Sequence, residues 1–180
     1  MDFLSCVSSR RSIRKFKPDP IGHDVINRII EAVSFSPSWK NTQTARYTFV
    51  ESEALKSELA DRCTVSFPNN GRIIKGAPAV IVLSSIRNRS GYDRDGSFTT
   101  SKGAGWEMFD AGIAAQTLCL AACNEGLGTV IMGIFDENEV ASVIGLDSSR
   151  SVSALIAIGY PDEQPVMPKR KDTSDLIEYR

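Results

Sequence analysis

Apolar residues recur along this chain in two rhythms, and the switch from one to the other marks out its elements. Between residues 24 and 34, Val25, Ile26, Ile29, Ile30 and Val33 fall at helical spacing, which puts them on one stripe of an amphipathic helix. Ser36-Pro37-Ser38 ends that helix, because a residue before proline is steered away from helical dihedrals. Residues 46–50 read as a strand. Residues 52–62 return to the helical period, with Ser52 as the cap and Lys56 on an ordinary helix face. Pro68-Asn69-Asn70-Gly71 reads as a turn. Ala79-Val80-Ile81-Val82-Leu83 shows no polar alternation, as expected of a central strand covered on both faces.

The second half has the longest helical pattern, residues 106–125, rich in Ala and carrying Ile113, Leu118 and Leu120. Its wide apolar character predicts a helix buried on much of its circumference. Gly126 and Gly128 supply the stop. Residues 129–132 and 153–158 read as strands. Between them Asp136 stands as a helix cap with Glu139 three positions on, as in a capping box. Residues 2–8 predict a short helix, and residues 165–171 a proline-punctuated basic tail. Residues 84–104 are polar and rich in Ser, Gly, Arg and Asp, and predict a mobile flap or insertion over a site. Without a linker or an internal repeat, the pattern gives one α+β domain over residues 1–180.

Composition narrows the function classes. A net charge of -1 gives no general attraction to nucleic acid or to an anionic membrane. No apolar run approaches the roughly 20 residues of a membrane span, and the N-terminus lacks a signal core, so the expected location is cytoplasmic. Cys6, Cys63, Cys119 and Cys123 form no Cys-x-x-Cys pair, and His23 is the sole histidine, so no metal site is expected and the thiols read as core residues.

The candidate chemistry lies in the first fifty residues. Ser9-Arg10-Arg11-Ser12-Ile13-Arg14-Lys15-Phe16 concentrates guanidinium groups around a hydroxyl, which suits a phosphate. Ser36-Pro37-Ser38-Trp39-Lys40-Asn41-Thr42-Gln43 offers amides that both donate and accept, as the edge of a planar heterocycle requires. A second basic cluster, Lys169-Arg170-Lys171, stands near the other end of the chain. These cations read as a shared phosphate site, a solvated surface or a nucleic-acid patch, and Ser12 with the amide loop tips the balance to phosphate. Gly126-Leu127-Gly128 follows a helix and precedes a strand, the reverse of a dinucleotide fingerprint. Gly133 ends a strand where backbone could approach a flat ligand. With no nucleophile motif in sight, a cofactor would have to carry the chemistry.

Taken in order and spacing, these segments, with Gly159-Tyr160-Pro161 and the basic tail, resemble the FMN-dependent nitroreductase family over essentially the whole chain. The resemblance implies a mixed sheet flanked by helices in a domain-swapped homodimer, with FMN at the subunit interface. It places Arg10, Arg11, Ser12 and Arg14 on the phosphate, ribityl and pyrimidine side, completed by Lys169 and Arg170. Pro37, Ser38, Trp39, Asn41 and Gln43 would reach the flavin from the other subunit, and Met132-Gly133 would bring a backbone amide near flavin N5. The implied activity is reduction of nitro compounds, quinones or a similar small-molecule oxidant by NADH or NADPH. A dedicated metabolic flavoprotein of the same fold and a non-catalytic flavin sensor are the alternatives.

Overall fold

The computed structural model describes residues 2–180. Four strands, β1 (Ala45–Val50), β2 (Ala79–Ile86), β3 (Gly128–Met132) and β4 (Arg150–Gly159), form one sheet in the order β1-β2-β4-β3. All three ladders are antiparallel. The implied mixed sheet is therefore corrected for the four strands. The parallel component is a bridge between Ser12 and Thr129, where the N-terminal arm lies beside β3.

The continuous apolar run of β2 is explained by what covers it. Ala79, Ile81 and Leu83 face α2 (His23–Ser34) and α5 (Gly105–Asn124), together with Ala154, Ile156 and Ile158 of β4. Val80 and Val82 face the opposite layer with Leu155 and Ala157. That layer contains α3 (Glu53–Cys63), α4 (Pro68–Gly76) and α6 (Glu137–Ile144). Each fully buried aliphatic side chain contributes on the order of 1.5–3 kcal/mol, so these two central strands dominate the stability of the domain.

Local signals act largely as expected. Ser52 accepts from the Leu55 amide, and Asp136 from the Glu139 amide. The capping box at Asp136 stays half made: its own N–H goes to the Cys63 carbonyl, and the Glu139 carboxylate turns to Arg62 on α3. After α5, the Leu127 amide bonds the Ala122 carbonyl and the Gly126 amide that of Cys123, a Schellman close with Gly126 at φ 79°. Gly128 is needed for another reason: a Cβ there would lie 2.5 Å from Ile13, whose arm crosses the start of β3.

Three expectations are corrected. Pro68 does not open a bare turn; it occupies the first turn of α4, where its missing N–H costs nothing. Residues 84–86 belong to β2, and residues 87–104 are stitched rather than loose. Thr99 N–H bonds Gly91 O at 2.9 Å, the Tyr92 and Phe98 rings pack at 4.9 Å, and Trp106 Nε1 donates to Thr100 Oγ1 at 2.9 Å. Lys56 is buried, at 1% exposure, because its Nζ donates to the Ala77 carbonyl at 2.6 Å as well as meeting Glu53. It clamps α3 to the loop entering β2. Lys56→Ala would orphan a buried carbonyl and is expected to cost roughly 1–3 kcal/mol, whereas exposed Arg72→Ala on α4 should leave the urea midpoint nearly unchanged. Equal midpoints for both variants would show that the clamp contributes nothing.

Candidate functional site

α5 organises both candidate regions. At its N-terminal end the carboxylate of Asp110, only 5% exposed, accepts the Trp39 N–H at 3.1 and 3.0 Å through its two oxygens. Ser90 Oγ donates to Asp110 Oδ2 at 2.6 Å and stands 3.2 and 3.3 Å from the hydroxyls of Thr42 and Thr44. This buried set fixes a loop whose backbone is costly: Lys40, Asn41 and Gln43 all have positive φ, at 45°, 56° and 49°. Left-handed non-glycine residues so close together are held by their surroundings and cluster at functional sites. Gln43 N–H donates to Ser38 Oγ at 2.9 Å, closing the turn on itself.

The loop shows two faces. Inside it, a cavity of about 250 Å³ is lined by Pro37, Ser38 and Gln43 of the loop, Ile30 and Val33 of α2, and Asp110. Tyr47 also lines it, and burial pushes its phenol up to about 12, with Arg46 opposing, so it stays neutral at working pH. On the other side Trp39 packs on Trp106 with ring centres 4.5 Å apart, and Trp106 meets Phe109 edge-on at 5.3 Å. Lys40 Nζ lies 5.4 Å from the Trp39 ring centre and 3.3 Å from Asp93. Among the described residues, Ser36 Oγ and Trp39 Nε1 are buried without a hydrogen-bond partner. Two orphaned donors in one loop fit a site that a ligand or second chain completes.

The arginine cluster lies at the opposite end of α5. Arg10 and Arg11 line a pocket of about 440 Å³ with Ser9, Cys123, Gly128, Thr129, Glu163 and the prolines at 161 and 165. The arm that carries them is pinned to the sheet: Ile13 N–H bonds Thr129 O and Lys17 N–H bonds Tyr160 O, both at 2.9 Å. Arg11 Nη1 folds back onto the carbonyls of Ser8 and Arg10 at 2.6 and 2.8 Å. The Arg10 side chain makes no hydrogen bond or ion pair with any other described residue, in contrast to Arg28 and Arg62, which each hold two carboxylates. The Glu163 carboxylate in this pocket is taken up by the Arg14 and Lys15 amides at 2.5 and 3.2 Å. That leaves the Arg10 and Arg11 guanidinium groups, with the neutral donors Ser9 and Gln164, to meet an anion there.

The anticipated site residues thus fall into separate places. Arg10 and Arg11 share a pocket, and Ser12 lies beside it through its bridge to Thr129. Arg14 is exposed, its Nη1 on Ser12 O at 3.3 Å. Pro37, Ser38, Trp39, Asn41 and Gln43 share the anchored loop. Lys169 and Arg170 line a further depression with Lys171, Asp172 and Asp175. Gly133 has open space where a Cβ would stand, and a planar group could approach it. Met132 buries its side chain in the core beside Val130 and Leu155, which leaves its backbone, the part the resemblance assigns to the flavin, as what it can offer. Sequence reasoning missed Asp110 and Ser90, and the one available signal was a second acid, after Glu107, in an alanine-rich helix.

The profile of the nitroreductase family matches residues 7–160. The chain belongs to the nitroreductase family. Among its relatives, a Bacillus subtilis protein provisionally named the NAD(P)H nitroreductase YfhC is 29% identical over 185 residues, covering 94% of this chain and 89% of the relative. A solved nitroreductase family protein from Clostridium novyi has a TM-score of 0.80 at 27% identity and covers 97% of this chain and 91% of its own. A structure from Exiguobacterium sibiricum, provisionally named a nitroreductase and solved in complex with FMN, has a TM-score of 0.84 at 22% identity, over 100% of this chain and 98% of its own. Within this family the Asp110 anchor can be read directly, since Trp39 and Trp106 are the chain's only tryptophans. Asp110→Ala should free the Trp39 amide, loosen the indole stack and move tryptophan emission to the red. An emission spectrum identical to wild type would mean that other contacts hold the loop.

Proposed function

We propose that this chain is an FMN-dependent oxidoreductase that takes electrons from NADH or NADPH and reduces nitro compounds, quinones or similar small acceptors, and that it works as a homodimer with sites shared between subunits. The observation that carries this reading is the distance between two half-sites on one rigid helix. Asp110, which holds the amide loop, and Cys123, on the arginine pocket, are thirteen positions apart on α5, about 20 Å at the helical rise. A second copy running the other way would set the loop of one subunit against the arginines of its partner.

Exposed apolar surface supports such a partner. The short helix α1 (Phe3–Ser9) leaves Phe3 and Leu4 72% and 74% exposed, and α5 leaves Met108 and Phe109 in solvent. The C-terminal segment adds Val166, Met167, Leu176, Ile177 and Tyr179, an apolar series on a strand-free tail. Side chains of this kind over α1, α5 and the tail mark an interaction surface. A tail laid over the partner would also bring Lys169 and Arg170 toward a phosphate.

When bound, FMN supplies the chemistry: it accepts a hydride equivalent from the nicotinamide and returns electrons to the acceptor. The chain's residues bind and orient. Arg10, Arg11 and the tail cations neutralise the phosphate, and charge-assisted hydrogen bonds make that contact specific. Asn41 and Gln43, held by their left-handed backbone, present amides to the ring edge. Trp39, Trp106 and Phe109 line one side of the loop with stacked rings. His23 bonds Glu51 at 3.1 Å on the surface near β1 and has no place in the site.

Two experiments test this reading. Arg10→Ala and Arg170→Ala should each weaken FMN binding by roughly 1.5–3 kcal/mol, about one to two decades, while Arg72→Ala binds as wild type; equal retention in all three would place the phosphate elsewhere. Steady-state rates with donor and acceptor both varied should give parallel double-reciprocal lines. Intersecting lines would require both substrates to bind together and would rule out a single shared binding face.

A further inference from the structure

A group of thiols stands beside the arginine pocket, and the flavin reading does not use it. α1 packs on the C-terminal half of α5, and Cys6, Cys119 and Cys123 meet in that contact. Cys6 is buried and donates its Sγ–H to the Leu120 carbonyl at 3.3 Å. Ser9 Oγ donates to the Cys6 carbonyl at 3.4 Å and also touches Cys123, which makes the two cysteines neighbours across this contact. Cys123 is half-buried, lies 3.9 Å from Ser9 Oγ, and lines the anion pocket with Arg10 and Arg11. Cys119 is buried, and burial pushes its thiol up. Cys63 lies in the core of the opposite layer.

The two members of the close pair therefore differ in a useful way. Cys123 is half-buried and reachable through a pocket that Arg10, Arg11 and Glu163 also line. Cys6 is shielded, and burial pushes its thiol up with Cys123 adding to the effect and Arg10 opposing it. An accessible thiol next to a shielded one is the arrangement of an attacking and a resolving cysteine.

We propose that Cys123 and Cys6 form a peroxide-sensitive thiol pair that locks α1 to α5 and alters the anion pocket. In the first step the Cys123 thiolate attacks one oxygen of hydrogen peroxide. The O–O bond breaks, the sulfur is oxidised to a sulfenic acid, and hydroxide leaves and takes a proton to become water. In the second step the Cys6 sulfur attacks the Cys123 sulfur. The S–O bond breaks, a second water leaves with the Cys6 proton, and a Cys6–Cys123 disulfide remains. Two thiols and one peroxide thus become one disulfide and two waters.

The bond has a structural consequence. A disulfide holds its sulfurs about 2 Å apart, so forming one draws α1 against α5. Ser9 and Arg10 follow Cys6 within four residues, at the end of α1, and are carried with it. Ser9 also loses the thiol partner it has on Cys123. The predicted effect on FMN rests on the flavin reading above; the thiol chemistry does not.

The test treats the purified protein with hydrogen peroxide, with and without added FMN, quenches with an alkylating agent and reads intact mass and peptide maps. The expected result is a loss of about 2 Da, a dithiothreitol-reversible cross-linked peptide joining Cys6 to Cys123, and slower oxidation when FMN fills the pocket. Cys6→Ala should instead accumulate a dimedone-reactive sulfenic acid, Cys123→Ser should form neither product, and Cys63→Ala should behave as wild type. Oxidised wild type should bind FMN at least threefold more weakly, and reduction should restore it. A disulfide mapped to other cysteines or between subunits overturns the proposal, as does loss of thiols in Cys6→Ala and Cys123→Ser with no sulfenic acid in the former. If the cross-link forms but FMN affinity is unchanged, the lock on the pocket is refuted, and if no FMN binds at all, the flavin reading fails while the mass result still decides the thiol pair.

Discussion

The rigid length of α5 is the constraint on which the rest of the architecture depends. The helix has 20 residues and is buried along Asp110, Ala111, Ala114, Ala115, Leu118, Cys119 and Ala122. Small side chains at four of those seven positions let it lie close against the sheet and α2. Whatever is tied to its two ends is thereby held at a set separation. The N-terminal end holds the amide loop through Asp110; the C-terminal end holds the arginine arm through α1 and the Schellman turn that leads into β3. Neither end can drift toward the other without disturbing both core layers.

Much of this could be read from the chain before any coordinates. Elements with strong periodicity, such as α2, and with broad apolar character, such as α5 and β2, are found where their patterns put them. Periodicity works there because one stripe or two faces meet a core. It fails where the deciding interaction is a single polar contact. Lys56 sits on a helix with little amphipathic bias, and only the position of the Ala77 carbonyl tells that its ammonium is inside. α4 begins with Pro-Asn-Asn-Gly, a sequence that turns in isolation and becomes helical because Ile73 and Ile74 are drawn into the core.

The candidate site divides in the same way. The arginines and the amide loop were legible, since their residue types announce the chemistry. Their anchors were not. Asp110 reads as one acid on a long helix, Ser90 as one hydroxyl in a polar stretch, and their joint role exists only once the loop has folded over both.

The left-handed turn at Lys40, Asn41 and Gln43 bears on how recognition proceeds in time. Its strain is offset by hydrogen bonds to groups that belong to the protein itself, so the turn is formed before any ligand arrives. Association with such a surface needs no ordering step and loses little conformational entropy in the loop. A ligand read by this loop would be sorted by whether its edge matches groups already in position, since a formed turn does not adapt to a poor match.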